Sequence, residues 1–487
     1  MTEPFHPADA HSRDPSTAGG GVAAASRSGT GARAIVIGAG IAGLTAAWRL
    51  QQAGLRVTVL ETADTVGGRM GDRRAGEIAY NSGARLVYPF GRAFNRLIAD
   101  LALGDALIPL RNLTARCVTP RGEHLIELMP TLRSLLTPGL PIGERIALIA
   151  HAMRMRGQRG RVDPDWAISA LDVDPAADRQ TLADYIRDEI GPHALASLVE
   201  PVFRATRSFN PETLSSLFYR TTVPHLVGED TVHTLRGGMG LVCETLARQL
   251  DVRTGARVAS VEHRREADAL RVAVTLAGGE TFEADHVVCA VEGSLASALV
   301  RTPQAAEREM LAEVRYNALG VVHYGFAQPL PALMQFASRD VASRISTFQQ
   351  MPAAPANGRP LAQIYCQLTP EAVEEARQRG CTDDLDTLVR DELRLRVPDF
   401  DRHVVAIANQ WIPRKLPVFA PGYGERLRAF WRWQEDPARA SERPVVYCGD
   451  WTSQALLTGA CASGERAARI VLERAQSQQS QAKRTNS

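Results

Sequence analysis

Lysine is almost missing from this chain. Lys and Arg together number 56, yet the only lysines are Lys415 and Lys483, the second of them in a polar tail. Neither sign of charge is in excess. The formal net charge is +2, so no nucleic-acid footprint emerges and no nucleic-acid partner is expected. No apolar run reaches the roughly 18 residues of a membrane span. The seven cysteines (Cys117, Cys243, Cys289, Cys366, Cys381, Cys448 and Cys461) are scattered and show no Cys-x-x-Cys or Cys/His ligand spacing. Reduced thiols and no metal are therefore expected. Residues 1–32 are rich in Ala, Ser, Gly, Thr and Pro and lack the apolar centre of a secretion signal. They are expected to be a disordered leader, and 476–487 a disordered polar tail. These absences describe a cytoplasmic protein, and 487 residues suffice for two domains with a large core.

What is present begins at residue 34. Ala34 to Ile37 form a short buried-strand run, followed by Gly38-Ala39-Gly40-Ile41-Ala42-Gly43, and Ile41 to Gln52 carry a helical pattern. Gly38 permits a tight turn, Gly40 lets a pyrophosphate approach the backbone, and Gly43 lets helix and strand pack closely. The helix N-terminus offers unpaired N–H donors and a positive dipole end to phosphates. Val57 to Leu60 make a second strand that closes on Glu61, placed to accept hydrogen bonds from adenosine ribose hydroxyls. Strand, helix, strand and acid in register specify dinucleotide binding.

Two further segments narrow the cofactor. Asp64-Thr65-Val66-Gly67-Gly68-Arg69-Met70 follows Glu61, and Gly449-Asp450-Trp451-Thr452 with a small-residue helix start at Gly459-Ala460 lies near the other end. With these, the sequence resembles the FAD enzymes that include protoporphyrinogen oxidases, phytoene-type desaturases and monoamine oxidases. The resemblance implies a Rossmann-type FAD-binding domain of the α/β class interleaved with an α+β substrate domain. It implies that Arg69 brings charge to the pyrophosphate, that the backbone at Val258 contacts the adenine, and that Asp450 holds the ribityl chain. Leu457, Thr458 and Gly459 are the implied backbone donors at the flavin pyrimidine edge, although the stretch from Asp450 to Gly459 is shorter than usual in the family. Thr181 to Tyr185, Leu198 to Pro201, Asn210 to Ser215 and Gly237 to Leu241 look like the porphyrinogen oxidase and desaturase branch.

Two departures bear on activity. Amine oxidases usually place a lysine near flavin N5; that position falls on Tyr324 here, beside His323. Their aromatic cage residue is replaced by Leu456. Both favour the porphyrinogen oxidase and desaturase branch. In such enzymes the flavin carries the chemistry, so the resemblance implies hydride transfer from a C–H bond of a hydrophobic or polycyclic metabolite to N5. An amine or amino-acid oxidase is the first alternative, a non-catalytic lipid- or prenyl-binding protein on the same fold the second. Candidates facing the substrate are His323, Tyr324, Trp411, Trp451 and Leu456, each of which also reads as packing. Arg204, Arg207 and Arg220 could pair with carboxylates of an acidic substrate. Lys415 reads as a surface residue.

The motifs divide the chain into FAD-domain pieces at 33–110, 230–300 and 405–475, with substrate-domain pieces at 111–229 and 301–404. Expected helices in the latter are Glu144 to Arg156, Leu182 to Ile190 and Pro370 to Arg379; expected strands are Ile345 to Gln349 and Leu361 to Leu368. Segment 132–161 mixes Leu132, Leu135, Leu136, Leu140 and Ile142 with Arg154, Arg156, Arg159 and Arg161. It reads as a domain helix with an apolar face, and also as a peripheral membrane contact.

Overall fold

The computed structural model describes residues 31–266, 269–356, 359–437 and 445–485. All but two of the expected leader residues therefore lie outside the described residues.

The glycine-rich loop sits at the end of a five-stranded parallel sheet. Its strands run in the order Val445–Tyr447, His286–Cys289, Arg33–Ile37, Arg56–Leu60, Asp251–Arg253. Four of the five residues in the central strand are buried, as expected where helices cover both faces of a parallel sheet. The first helix, Ile41–Gln52, and the closing helix, Leu457–Thr485, pack against each other there. Gly464 makes the approach close: a Cβ at that position would lie 2.2 Å from the carbonyl oxygen of Ala42.

The second sheet has seven strands, in the order Val404–Pro417, Tyr316–Phe326, Arg359–Leu368, Ile345–Ala356, Leu333–Ala337, Thr114–Thr119, Gly122–Glu127. It is antiparallel except where Leu333–Ala337 runs parallel to Thr114–Thr119. Helices Pro370–Arg379 and Asp386–Arg396 cover one face through a core that includes Tyr324, Phe326, Leu388 and Phe400. The α/β dinucleotide domain interleaved with an α+β domain is thus the observed architecture.

Two boundaries move. Val404–Pro417 is hydrogen-bonded along its length to Tyr316–Phe326, with Leu319 opposite Ile412 and Tyr324 opposite Ile407. It belongs to the substrate-side sheet, so the last dinucleotide-domain segment starts after it rather than at 405. The polar stretch expected as a disordered tail instead continues the closing helix through Thr485. Extending an existing helix needs no new nucleus, and residues 465–485 contain neither Gly nor Pro. Among the described residues no helix is long and apolar enough to cross a membrane, and no cluster of His, Cys, Asp and Glu could hold a metal.

Candidate functional site

The three glycines of the first loop differ in what demands them. Gly38 has a φ of +102°, and a Cβ there would meet the carbonyl oxygen of Ala290 at 2.9 Å. A Cβ on Gly43 would lie 2.0 Å from the carbonyl oxygen of Gly38. Both are required by the protein's own packing. Gly40 is not: its Cβ would meet nothing within 4 Å. That open space lies at the start of a helix with no side-chain cap and no acid in its first turn. Its leading N–H groups are therefore free for an anion. Ala39, Ile41 and Ala42 are buried and turn their side chains into the core, leaving backbone to line the loop.

Glu61 closes the second strand as expected. Its carboxylate accepts from the N–H groups of Ala39 (2.7 Å) and Ala63 (2.8 Å), tying the strand end to the glycine loop. Ala256 N–H donates to the Glu61 carbonyl at 2.7 Å, which brings Val258 to this end of the sheet although it is nearly 200 residues away in sequence.

The Gly-Gly-Arg and Gly-Asp segments meet directly. Arg69 forms a two-pronged pair with Asp450, Nη1 to Oδ2 at 2.7 Å and Nη2 to Oδ1 at 3.0 Å, and Nη1 also donates to the Lys415 carbonyl at 2.7 Å. Burial opposes the charge on Arg69, but Asp450 outweighs it and holds the guanidinium firmly protonated. Gly67 and Gly68 reach this geometry with φ of +100° and +53°, and Gly67 N–H donates to the Ala39 carbonyl at 2.9 Å. Gly449 has φ of +142°, and its N–H donates to Ser463 Oγ within the closing helix at 2.8 Å. The Arg69–Asp450 pair and the hydrogen bond to Lys415 therefore join the Gly-Gly-Arg segment, the end of the last strand and the substrate-side sheet.

The closing helix begins at Leu457, again with no acid in its first turn. Thr458 Oγ1 donates to Asp165 at 2.6 Å, and the other oxygen of Asp165 accepts from Ala93 N–H at 2.8 Å. Burial pushes the Asp165 carboxyl up to about 6. A Cβ on Gly459 would lie 2.5 Å from the Gln454 carbonyl oxygen, so glycine is needed to enter the helix from this turn. The Thr458 side chain is committed to Asp165, which leaves its backbone for a ligand. Sequence reasoning misses Asp165 as a partner of the closing helix, because it belongs to no motif.

The three residues expected at the chemistry are all buried. Trp451 is fully buried in the dinucleotide-domain core: its Nε1 donates to the Val291 carbonyl at 3.2 Å, and Phe430 and Tyr447 pack around its ring. Tyr324 faces the helical layer and donates to Asp386 at 2.6 Å. His323, its neighbour, necessarily points to the opposite side of the strand. There it stacks on Tyr80 at 4.5 Å and meets Gln410 Oε1 through Nε2 at 3.0 Å, while Gln410 reaches the Asn81 carbonyl at 3.2 Å. Tyr80 covers the imidazole, so His323 packs between the sheet and the strand Ile78–Asn81. Burial pushes its pKa down to about 4 from 6.5. The unfolded chain gains a proton there as pH falls through 6.5, whereas the folded chain resists until about 4, so stability is lost across that window as pH drops. His323→Gln is expected to make the pH dependence of the unfolding free energy shallower by about one proton between those values. Urea titrations at pH 7 and pH 5, compared with wild type, measure it.

The basic candidates separate clearly. Arg204 is spent on Glu371 in a two-pronged pair and Arg220 on Asp174. Arg207 has no carboxylate partner among the described residues; it donates to the Ala455 carbonyl at 3.3 Å and lies 3.8 Å over the Phe218 ring. Lys415, expected at the surface, is half-buried, and its Nζ donates to Ser208 Oγ at 3.2 Å and to the Thr206 carbonyl at 3.3 Å. Burial, with the charges of Arg207 and Arg85 adding to it, pushes the Lys415 ammonium well below the usual lysine range. Trp411 and Leu456 are both half-buried.

A parallel sheet with a glycine loop at a helix N-terminus, an acid ending the second strand and a second domain laid across it defines a two-domain dinucleotide-cofactor protein. The chain belongs to the family of flavin containing amine oxidoreductases, which matches it over residues 41–472. Its cofactor is FAD and its class is that of FAD-dependent oxidoreductases. The open space at Gly40, the Arg69–Asp450 pair and the acid-free start of the closing helix are the parts of this chain that would hold the pyrophosphate, the ribityl chain and the flavin edge.

Among curated proteins, the flavin-dependent L-tryptophan oxidase RebO of Lentzea aerocolonigenes is 26% identical over 323 residues, 60% of this chain and 65% of that protein. Protoporphyrinogen oxidase 2, chloroplastic/mitochondrial, of Arabidopsis thaliana is 22% identical over 192 residues, 38% of this chain and 34% of that protein. The matched region thus spans less than two thirds of either relative. Two solved structures share the fold. A putative protoporphyrinogen oxidase from Exiguobacterium sp. 255-15 aligns with a TM-score of 0.63 at 16% identity, and putrescine oxidase bound to putrescine with 0.67 at 18%. Each alignment covers 91% of this chain and 99% of the other.

Proposed function

We propose that this protein oxidises a C–H bond of a hydrophobic or polycyclic metabolite, by desaturation or by CH–NH oxidation. The observation that carries this reading is Tyr324. The family resemblance assigns it the position where amine oxidases keep a lysine, and its hydroxyl is turned into the core against Asp386. His323 beside it is covered and held neutral. Bound FAD would supply the acceptor for hydride. The chain's own contribution is then to bind and orient the substrate, exclude water, and present the closing-helix N-terminus to the charge that develops on reduction. Anaerobic mixing with porphyrinogens, polyenes and fused-ring metabolites tests this: loss of the oxidised-flavin absorbance with one of them supports it, and loss with simple amines alone contradicts it.

A second reading, oxidation of an amino acid, is favoured by Arg207 and Lys415. Neither basic side chain has a carboxylate partner among the described residues, and the two stand beside Ala455 and Arg69, that is, beside the two segments that would hold the flavin. They suit a substrate carboxylate, and the similarity to an L-tryptophan oxidase points the same way. On this reading Lys415→Met raises KM for an L-amino acid at least ~10-fold, the worth of one charge-assisted hydrogen bond, with FAD content unchanged. Hydrogen peroxide release measured against L-amino-acid concentration gives the result; an unchanged KM removes the reading.

A further inference from the structure

One helix is apolar on two opposite sides. In Ile142–Gln158 the inward face carries His151 and Met155, with Ala147 and Leu148, against a core that includes Tyr185, Ile186 and Tyr219. The outward face carries Ile142, Ile146, Ile149 and Met153, spaced four, three and four residues apart along one line. A helix whose outer face met only water would be polar there. Leu132 and Leu136, in the turn before it, are exposed as well. These six side chains are 43% to 80% exposed and account for six of the eleven exposed large hydrophobic residues described. Surface leucines and isoleucines are ordinary when scattered, and informative when gathered.

Arginines outnumber acids around the stripe. Arg133, Arg154, Arg156, Arg159 and Arg161 are all exposed. Arg154 and Arg159 have acidic partners in Glu189 and Glu229, whereas Arg133, Arg156 and Arg161 have none among the described residues. The helix contains a single acid, Glu144, and it is turned away, accepting from the N–H groups of His193 and Ala194. We propose that this face rests on an anionic lipid surface, with the six apolar side chains entering the boundary between headgroups and acyl chains and the arginines meeting lipid phosphates. A second copy of the chain fits less well, because a two-fold pairing through this face would set one arginine rim against the other.

The test is co-sedimentation of the full chain with large unilamellar vesicles, of phosphatidylcholine alone or of equal parts phosphatidylcholine and phosphatidylglycerol. The expected result is that most of the protein pellets with the anionic vesicles and little with the neutral ones. Ile146→Ser with Met153→Ser is expected to lower the bound fraction at least tenfold, and Arg133→Gln with Arg156→Gln to lower it on anionic vesicles only. All four positions are exposed, so the variants should keep the wild-type melting temperature. Failure to pellet with either vesicle overturns the proposal, as does pelleting that the serine variant leaves unchanged. A concentration-dependent dimer abolished by that variant overturns it too and assigns the face to a copy of the chain.

Discussion

Gly40→Ala is expected to empty the protein of FAD while leaving the fold standing. The reason is local. A methyl group on Gly40 would touch no protein atom within 4 Å, and the backbone there is extended, with φ of −76°, which alanine adopts without strain. The methyl would occupy the space over the uncapped helix start, where the pyrophosphate would draw on backbone donors. Losing two charge-assisted hydrogen bonds corresponds to about 3–6 kcal/mol, a fall in FAD affinity of at least ~100-fold. Gly43→Ala makes the contrast. Its methyl would lie 2.0 Å from the Gly38 carbonyl oxygen and 3.0 Å from the Ala290 side chain, so backbone must move. Overpacking of this kind costs about 1–3 kcal/mol, and the apoprotein should melt roughly 5 °C lower. Comparing both variants with wild type as apoproteins is essential, because bound FAD raises the melting temperature by itself. If Gly40→Ala retained its flavin, the loop would not be the phosphate cradle.

Asp450→Ala is the second large effect. The Asp450 side chain is 6% exposed and that of Arg69 31%, so the pair is sheltered on one side and open toward the site on the other. Removing the carboxylate leaves the guanidinium with the Lys415 carbonyl as its remaining hydrogen-bond acceptor. At about 1.5–3 kcal/mol for a hydrogen bond to a charged group, FAD affinity should fall by ~10- to 100-fold or more. The loss should be larger than for Asp450→Asn, which can still accept one bond from Arg69. Titrating apoprotein with FAD and following quenching of flavin fluorescence separates the two. Equal affinity in wild type and Asp450→Ala would mean that the pair only braces the domains.

The parts of this site written in short-range pattern are legible in the amino-acid sequence alone. Gly38 to Gly43, the helix Ile41–Gln52 and Glu61 occupy one contiguous stretch in which spacing, periodicity and charge agree, and the structure places them as expected. Pro370–Arg379 is equally plain, because Thr369 caps it and Gly380 ends it in the left-handed region. Pairing across the chain is not legible. Arg69 and Asp450 are 381 residues apart, and a Gly-Asp pair does not by itself say which arginine it meets. Strand alternation, by contrast, separates two of the candidates: His323 and Tyr324 are adjacent on one strand, so at most one of them could face the cofactor. Lys415 reads as a surface residue and is half-buried for a different reason. It lies between Pro413 and Pro417 in a strand whose partner has a register shift between Asn317 and Leu319, and such irregularity hides which side a residue takes. Trp451 follows the acid of a flavin motif, yet its bulk fills the core behind Gly449 and Gly293, whose missing side chains make room for it.

The most direct measurement is the flavin content of the purified full chain. Its absorbance spectrum is recorded, the protein is denatured, and the released cofactor is identified and counted against protein. One FAD per chain, found in the supernatant, is the expected result, and Gly40→Ala purified alongside should be colourless. A colourless wild type that cannot be reconstituted with FAD would contradict the account and turn attention to a binding protein on the same fold.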